Sequence, residues 1–209
     1  MKQIDSGIFM KKQPLLSNER FNETEFAREY AEKHTRMSVK LGNKIAGMLS
    51  NKSFKHAVIL DSGCGSGETI IEIAEKFPSC DFYGIDLSNP LLEIANEKKQ
   101  KANLTDRVKF LKADVQDIPF PSNYFDLVIN INMMHLMNEP LTMLNEIVKV
   151  LKPEGLFFIS DLKRSVLGFL EKEIKSSYSG YEAKEIIEKS NLPQGQFTSD
   201  IIWWRYQNI

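Results

Sequence analysis

Cysteine is scarce, with Cys64 and Cys80 the two in a chain of 209 residues. That is too little for a disulfide framework or a cysteine-rich zinc site, and it suits a reducing compartment. The expectation is a cytoplasmic protein without a metal centre. No apolar run reaches the roughly 18 residues that a membrane-spanning helix needs, and residues 1–12 scatter lysines without the apolar stretch of a secretory signal. Neither export nor a membrane span is expected. An excess of charge is missing too: 27 Lys and Arg against 28 Asp and Glu leave −1. A protein that lives on phosphate backbones would be far more basic, so nucleic acid is demoted as a partner.

What is present is the composition of an ordinary folded domain, 42% hydrophobic and 26% charged. The length fits a single core, which we expect to span residues 1–209. Charge divides unevenly, since residues 1–56 carry 11 basic against 6 acidic groups, +5, and the rest carry 16 against 22, −6. The basic leading segment is either a surface for an anionic acceptor or a solvated helix face.

Apolar patterning changes at residue 57. Residues 57–60 form a buried-strand run, after which Ile70, Ile73, Ala74 and Phe77 share one helical face. Residues 82–85 form a second strand, and Ser88 with Pro90 supplies a cap and a first-turn proline for a helix to about Lys101. Residues 108–111 and 125–131 add two more strands, a helix face follows through Leu141, Leu144, Ile147, Val148 and Leu151, and residues 156–159 are a fifth strand after the turn at Lys152-Pro153-Glu154-Gly155. Such alternation predicts an α/β fold: a Rossmann-like, doubly wound, mostly parallel sheet with helices on both faces. Residues 23–36 and 37–49 read as two amphipathic helices of an N-terminal helical lid (1–56). Residues 57–162 form the core, and residues 163–209 add helices at 166–176 and 181–190 and a β-prone end at 197–206.

The sharpest motif is Asp61-Ser62-Gly63-Cys64-Gly65-Ser66-Gly67, between a strand and a helix. Glycines there let the backbone turn sharply and approach a ligand closely. The nicotinamide fingerprint G-x-G-x-x-G is not met, because the third position after Gly65 is Glu68, and a carboxylate at the helix start is the wrong charge for a pyrophosphate. A nicotinamide oxidoreductase is thereby disfavoured. Asp86 ends the second strand, where an acidic residue either binds both ribose hydroxyls or merely starts the next helix. Asp114, after the third strand, is placed to accept from an exocyclic amine.

These strings, together with Tyr83-Gly84-Ile85-Asp86-Leu87-Ser88, Ala113-Asp114-Val115-Gln116-Asp117-Ile118-Pro119-Phe120, Phe125-Asp126-Leu127-Val128 and Leu151-Lys152-Pro153-Glu154-Gly155, resemble the class I S-adenosylmethionine-dependent methyltransferases. The likeness is strongest to the small-molecule group that includes the ubiquinone/menaquinone-biosynthesis enzymes, and it covers about residues 57–162. It implies S-adenosyl-L-methionine as cofactor. Gly63, Cys64, Gly65 and Gly67 would line its methionine part, with Asp61 helping to place the ammonium and Asn130 nearby. Asp86 would hold the ribose, Leu87 would pack on the adenine, and Asp114 with the backbone of Val115 would read its edge. The sheet of such enzymes ends in an antiparallel strand pair, for which the 17 residues after Leu192 are tight, so the last strand is expected to be short or missing.

Because a sulfonium already activates its methyl group, transfer needs alignment more than side-chain chemistry. His135 is the candidate general base, with a pocket-lining role as the alternative, and Tyr30, His34 and Met134 join it as candidates for the acceptor pocket. The methionines Met133, Met134, Met137 and Met143 fit either an adaptable pocket or a core. Of Trp203 and Trp204, one ring should be buried. Asn130-Ile131-Asn132-Met133 lacks the prolines and the aromatic of methylases that act on nucleobase amines, which favours a small organic acceptor. The rival from another class is a regulatory protein that binds S-adenosylmethionine or S-adenosylhomocysteine and transfers nothing.

Overall fold

A computed structural model describes residues 18–50, 52, 54–165 and 172–209. Residues 1–17 of the expected lid, and the first part of the helix expected at 166–176, lie outside the described residues.

The alternation resolves into β1 (Val58–Ser62), α2 (Glu68–Lys76), β2 (Asp81–Asp86), α3 (Asn89–Lys101), β3 (Val108–Lys112), β4 (Phe125–Ile131), α4 (Pro140–Val150) and β5 (Leu151–Leu162), preceded by α1 (Thr24–Leu49). After β5 come α5 (Lys172–Ser176), α6 (Gly180–Lys189), β6 (Gln196–Ser199) and β7 (Trp203–Gln207). The sheet runs β3-β2-β1-β4-β5-β7-β6. β1 to β5 are mutually parallel, and β7 pairs antiparallel with both β5 and β6. The chain builds outward from β1 through β2 to β3 and then returns to place β4 on the other side of β1. Between the carboxyl ends of β1 and β4 the winding reverses, which opens a crevice.

Side chains alternate across the strands and split the core into two layers. Val128, Phe157 and Ile159 pack with Leu144, Ile147 and Ile187 of α4 and α6 on one face. Leu127, Ile129 and Phe158 pack with Ile45, Leu49, Ile70 and Ile73 of α1 and α2 on the other.

Three expectations are corrected. The two leading helices are one, α1, of 26 residues. No proline interrupts it, and its apolar stripe is bridged by Thr35 and Ser38, which touch α2 instead of ending the helix: Thr35 Oγ1 donates to Glu68 Oε1 at 2.9 Å, and Thr69 Oγ1 donates to the Ser38 carbonyl at 3.4 Å. Gly42 lets the helices meet, since a Cβ there would sit 2.7 Å from the Thr69 carbonyl oxygen. The turn expected at 152–155 lies within β5 as an irregularity, where the register steps from Phe125–Leu151 to Leu127–Leu156. Finally, both terminal strands are present. Asp200 makes the hairpin short enough, its Oδ1 accepting from the backbone N–H groups of Ile202 at 2.9 Å and Trp203 at 2.8 Å. Trp204 is the buried ring of the pair and stacks on Phe197.

Candidate functional site

The crevice holds a cavity of about 380 Å³ at the carboxyl ends of β1 to β4. Gly63, Gly65, Asp86, Leu87 and Val115 form one wall, and Ile131, Asn132, Met133, Leu136 and Met137 form the other. Glu19, Phe21 and Asn22 of a 3-10 turn (Asn18–Asn22), with Tyr30 of α1, cover it, and Leu91 of α3 closes the side.

The glycine turn is held from β2. The N–H groups of Gly63 and Cys64 both donate to the Ile85 carbonyl at 2.9 Å, and the Gly65 N–H donates to Asp86 Oδ2 at 2.9 Å. The other Asp86 oxygen accepts from the Ser88 N–H at 2.9 Å. Each oxygen keeps a lone pair for a further donor, such as a hydroxyl in the cavity. Gly63, Gly65 and Gly67 all have positive φ, 85°, 51° and 81°. At Gly65 a Cβ would meet nothing, so the missing side chain leaves open space in the cavity wall. At Gly63 it would strike Met133, and at Gly67 it would meet the Phe110 ring at 2.7 Å. Gly67 therefore serves the close packing of α2 on the sheet and does not line the cavity.

Carboxylates accumulate behind this turn. Burial, with the neighbouring Asp86 and Glu68 carboxylates adding to it, pushes Asp61 up to about 7. Burial raises Asp86 as well, although N–H donors from Ser88, Gly65 and Leu87 pull it back. The Cys64 thiol is driven further from ionisation, first by burial and then by Asp86 and Asp61, and is no nucleophile at neutral pH. A region this rich in buried negative charge suits a ligand that carries positive charge.

Several residues expected at the site stand behind its walls. Asp61, Cys64 and Asn130 are buried and absent from the lining; Asn130 Nδ2 donates to the Ser62 carbonyl at 2.8 Å, between β4 and β1. Asp114 is likewise outside the lining, with its Oδ1 accepting from the Gln116 N–H at 2.8 Å, while Val115 next to it faces the cavity. Met134 is fully buried, and its neighbours Met133 and Met137 take the cavity positions. His34 packs against the Tyr30 ring with centroids 4.3 Å apart, and only Tyr30 reaches the lining.

His135 is 3% exposed and faces Asp161 of β5. Its Nδ1 lies 2.6 Å from Asp161 Oδ1, and its backbone N–H donates to Asp161 Oδ2 at 2.8 Å. The pair ties the 3-10 turn Met134–Leu136 to β5, so the imidazole is directed into the core while the flanking Met133 and Leu136 point at the cavity.

Sequence reasoning expected a leading lid and Tyr30 in it, but missed Glu19, Phe21 and Asn22. Phe21 carries no motif, yet it packs edge-on to Tyr30 at 5.0 Å, and its carbonyl accepts from Ser88 Oγ at 2.5 Å. Glu68 remains at the helix start but outside the cavity lining, where its carboxylate meets Thr35, Ser66 and Lys98. Among the described residues no cluster of histidine, cysteine, aspartate and glutamate is arranged to hold a metal ion, and no helix is long and apolar enough to cross a membrane.

Residues 53–206 match the model of a family described as a methyltransferase domain. Among curated relatives, the chain is 32% identical over 124 residues to 27-O-demethylrifamycin SV methyltransferase of Amycolatopsis mediterranei (strain S699), covering 59% of this chain and 44% of that protein. It is 31% identical over 114 residues to demethylmenaquinone methyltransferase of Symbiobacterium thermophilum (strain DSM 24528 / JCM 14929 / IAM 14863 / T), covering 54% and 45%. The chain thus spans less than half the length of either relative. Among solved structures, a SAM-dependent methyltransferase from Aquifex aeolicus superposes with a TM-score of 0.73 at 22% identity, over 88% of this chain and 97% of that one. The fold, the glycine turn at the switch point and the family match agree: the chain belongs to the methyltransferase-domain family of class I S-adenosylmethionine-dependent enzymes.

Proposed function

We propose that the protein transfers a methyl group from S-adenosyl-L-methionine to a small organic acceptor with a largely apolar body. The observation that carries this reading is the juxtaposition of Asp86, the Gly63–Gly65 backbone and an apolar far wall around one cavity at the switch point. The residues present fit the cofactor. The Asp86 oxygens are available to ribose hydroxyls, Leu87 and Val115 offer apolar contact to a base, and the space at Gly65 admits a ligand backbone. Asp86, with the buried Asp61 behind it, makes the turn attractive to a cation.

When bound, S-adenosylmethionine supplies a methyl group already made electrophilic by its sulfonium. The protein's part is then to orient and to dry. Phe21, Leu91, Met133 and Met137 exclude water, and Tyr30 with Asn132 gives the acceptor side its few polar groups. Methionine side chains in that wall can adapt to an acceptor of irregular shape. His135 is better suited to holding the wall than to taking a proton from an acceptor, because it is buried and outside the cavity lining, with Nδ1 turned to Asp161. The two named relatives modify small molecules, and the net charge of −1 lacks the overall basic excess of a protein that lives on phosphate backbones, both of which support a small-molecule acceptor. Two free, buried cysteines suit a cytoplasmic setting, and we read residues 1–209 as one working unit whose leading segment shapes the acceptor pocket.

The test is to incubate the purified protein with methyl-labelled S-adenosylmethionine and a metabolite extract. Extract-dependent release of S-adenosylhomocysteine with label in a small molecule is expected. Tight binding of S-adenosylhomocysteine with no transfer to any fraction would favour the regulatory rival instead.

A further inference from the structure

Glu68 directly follows the glycine turn, is 7% exposed, and does not line the cavity. Three donors from three elements converge on it. Thr35 Oγ1 of α1 lies 2.9 Å from Oε1 and shares its one proton between that oxygen and the Ala31 carbonyl at 2.7 Å, Ser66 Oγ of the glycine turn donates to Oε2 at 2.7 Å, and Lys98 of α3 forms an ion pair with Oε1. Each of those elements also sends a residue into the cavity: Tyr30 from α1, Gly65 from the turn and Leu91 from α3. Between α1 and α3 the remaining side-chain contact is apolar, formed by Ala27, Ala31 and Leu91 with Phe21, Tyr30 and Ile94 at its margin. Such a patch fixes distance well and direction poorly, because apolar contact is non-directional. A buried carboxylate with three directed donors fixes direction.

We infer that Glu68 is a positioning residue that locks the covering helix α1 and the side helix α3 to the glycine turn, so that cofactor affinity depends on a side chain that never touches the cofactor. This rests on the cofactor reading above. The charge of Glu68 matters as well as its shape: Lys98 loses its ion-pair partner if the carboxylate is neutralised, and an amide keeps one oxygen for a donor on the Oε1 side or the Oε2 side, not both.

The test measures S-adenosylhomocysteine affinity by calorimetry for the wild type, Glu68→Ala, Glu68→Gln, Thr35→Val and the double variant Glu68→Ala/Thr35→Val, each checked for folding by circular dichroism. We expect Glu68→Ala to weaken binding by about tenfold or more, Glu68→Gln to recover part of that loss, and Thr35→Val to weaken it by about threefold. The double variant should bind no more weakly than Glu68→Ala, because Thr35 acts through Glu68. A purely structural Glu68 would lower the unfolding midpoint while leaving affinity within about twofold of wild type in the folded population, and that result would overturn the inference. Additive losses in the double variant would overturn it too. If Glu68→Ala fails to fold, Thr35→Val with unchanged affinity, and unchanged hydrogen exchange at residues 24–34 on adding S-adenosylhomocysteine, would be equally decisive against it. Failure of the wild type to bind S-adenosylhomocysteine would instead sink the cofactor reading.

Discussion

On one side of the cavity stand Asp86 and the glycine turn, fixed by backbone hydrogen bonds to Ile85 and Asp86; on the other stand Met133, Leu136 and Met137, carried on a short 3-10 turn. The first wall is polar, acidic and built on strand ends. The second is apolar and is tied to β5 by the Asn132 N–H on the Ser160 carbonyl and by His135 with Asp161. A wall of fixed hydrogen-bond geometry demands one particular ligand, whereas a wall of flexible apolar side chains sets only size and hydrophobicity. One fold can thus keep its cofactor constant while its acceptor varies.

Substitutions should separate the two walls. The largest effect on cofactor binding is expected for Asp86→Ala, which removes the acceptor facing the ribose: S-adenosylhomocysteine affinity should fall about 10- to 100-fold in calorimetry. Unchanged affinity would remove Asp86 from the site. Next comes His135→Ala, which leaves Asp161 buried beside a lost partner and should cost about 2–3 kcal/mol in denaturant unfolding. Its S-adenosylhomocysteine affinity should stay within about threefold of wild type. The reverse pattern, intact stability with lost cofactor affinity, would move His135 from the acceptor wall to the cofactor.

A pH experiment sharpens the acidic side. Asp61 has a native pKa raised from 3.8 to about 7, so the native state binds its proton more tightly than the unfolded chain does. Stability should therefore fall as pH rises from about 4 toward about 7 and level off above, as far as this group contributes. A cationic ligand lowers that pKa, so at pH 7 binding should release part of a proton, more for S-adenosylmethionine than for its uncharged-sulfur product. Calorimetry in two buffers of different ionisation enthalpy measures this, and equal release for both ligands would show that Asp61 does not sense the sulfonium. The smallest effect is expected for Met137→Ala, with cofactor affinity changed by less than about threefold and a shift only in which acceptors from an extract are methylated.

The polar wall was legible in the sequence because strand ends and glycine turns leave local marks: a buried run, then Asp61 to Gly67, then Asp86 at the next strand end. The parallel run of β1 to β5 followed from the same alternation. The cover was legible only as a leading lid with Tyr30 in it; Phe21 is held over the cavity by the long-range bond from Ser88 to its carbonyl, which no local pattern records. Helix α1 looked broken for a related reason. Its stripe turns polar at Thr35 and Ser38 where it meets α2, and a tertiary contact was mistaken for an end. The final hairpin was underestimated because Asp200, an ordinary loop residue in the sequence, compresses the connection through its own side chain. Asp114 and His135 show the converse: the residue type suits ligand chemistry, but each stands outside the cavity lining with a nearer partner, Gln116 on Asp114 Oδ1 and Asp161 on His135 Nδ1.

The most direct measurement is a crystal structure of the protein soaked or grown with S-adenosylhomocysteine. The result expected is adenosine in this cavity, with both ribose hydroxyls within about 2.6–3.0 Å of the Asp86 carboxylate and the sulfur facing the space between Tyr30 and Met137. Occupancy of a different crevice, or a ribose that makes no contact with Asp86, would contradict the assignment of the polar wall to the cofactor and the apolar wall to the acceptor.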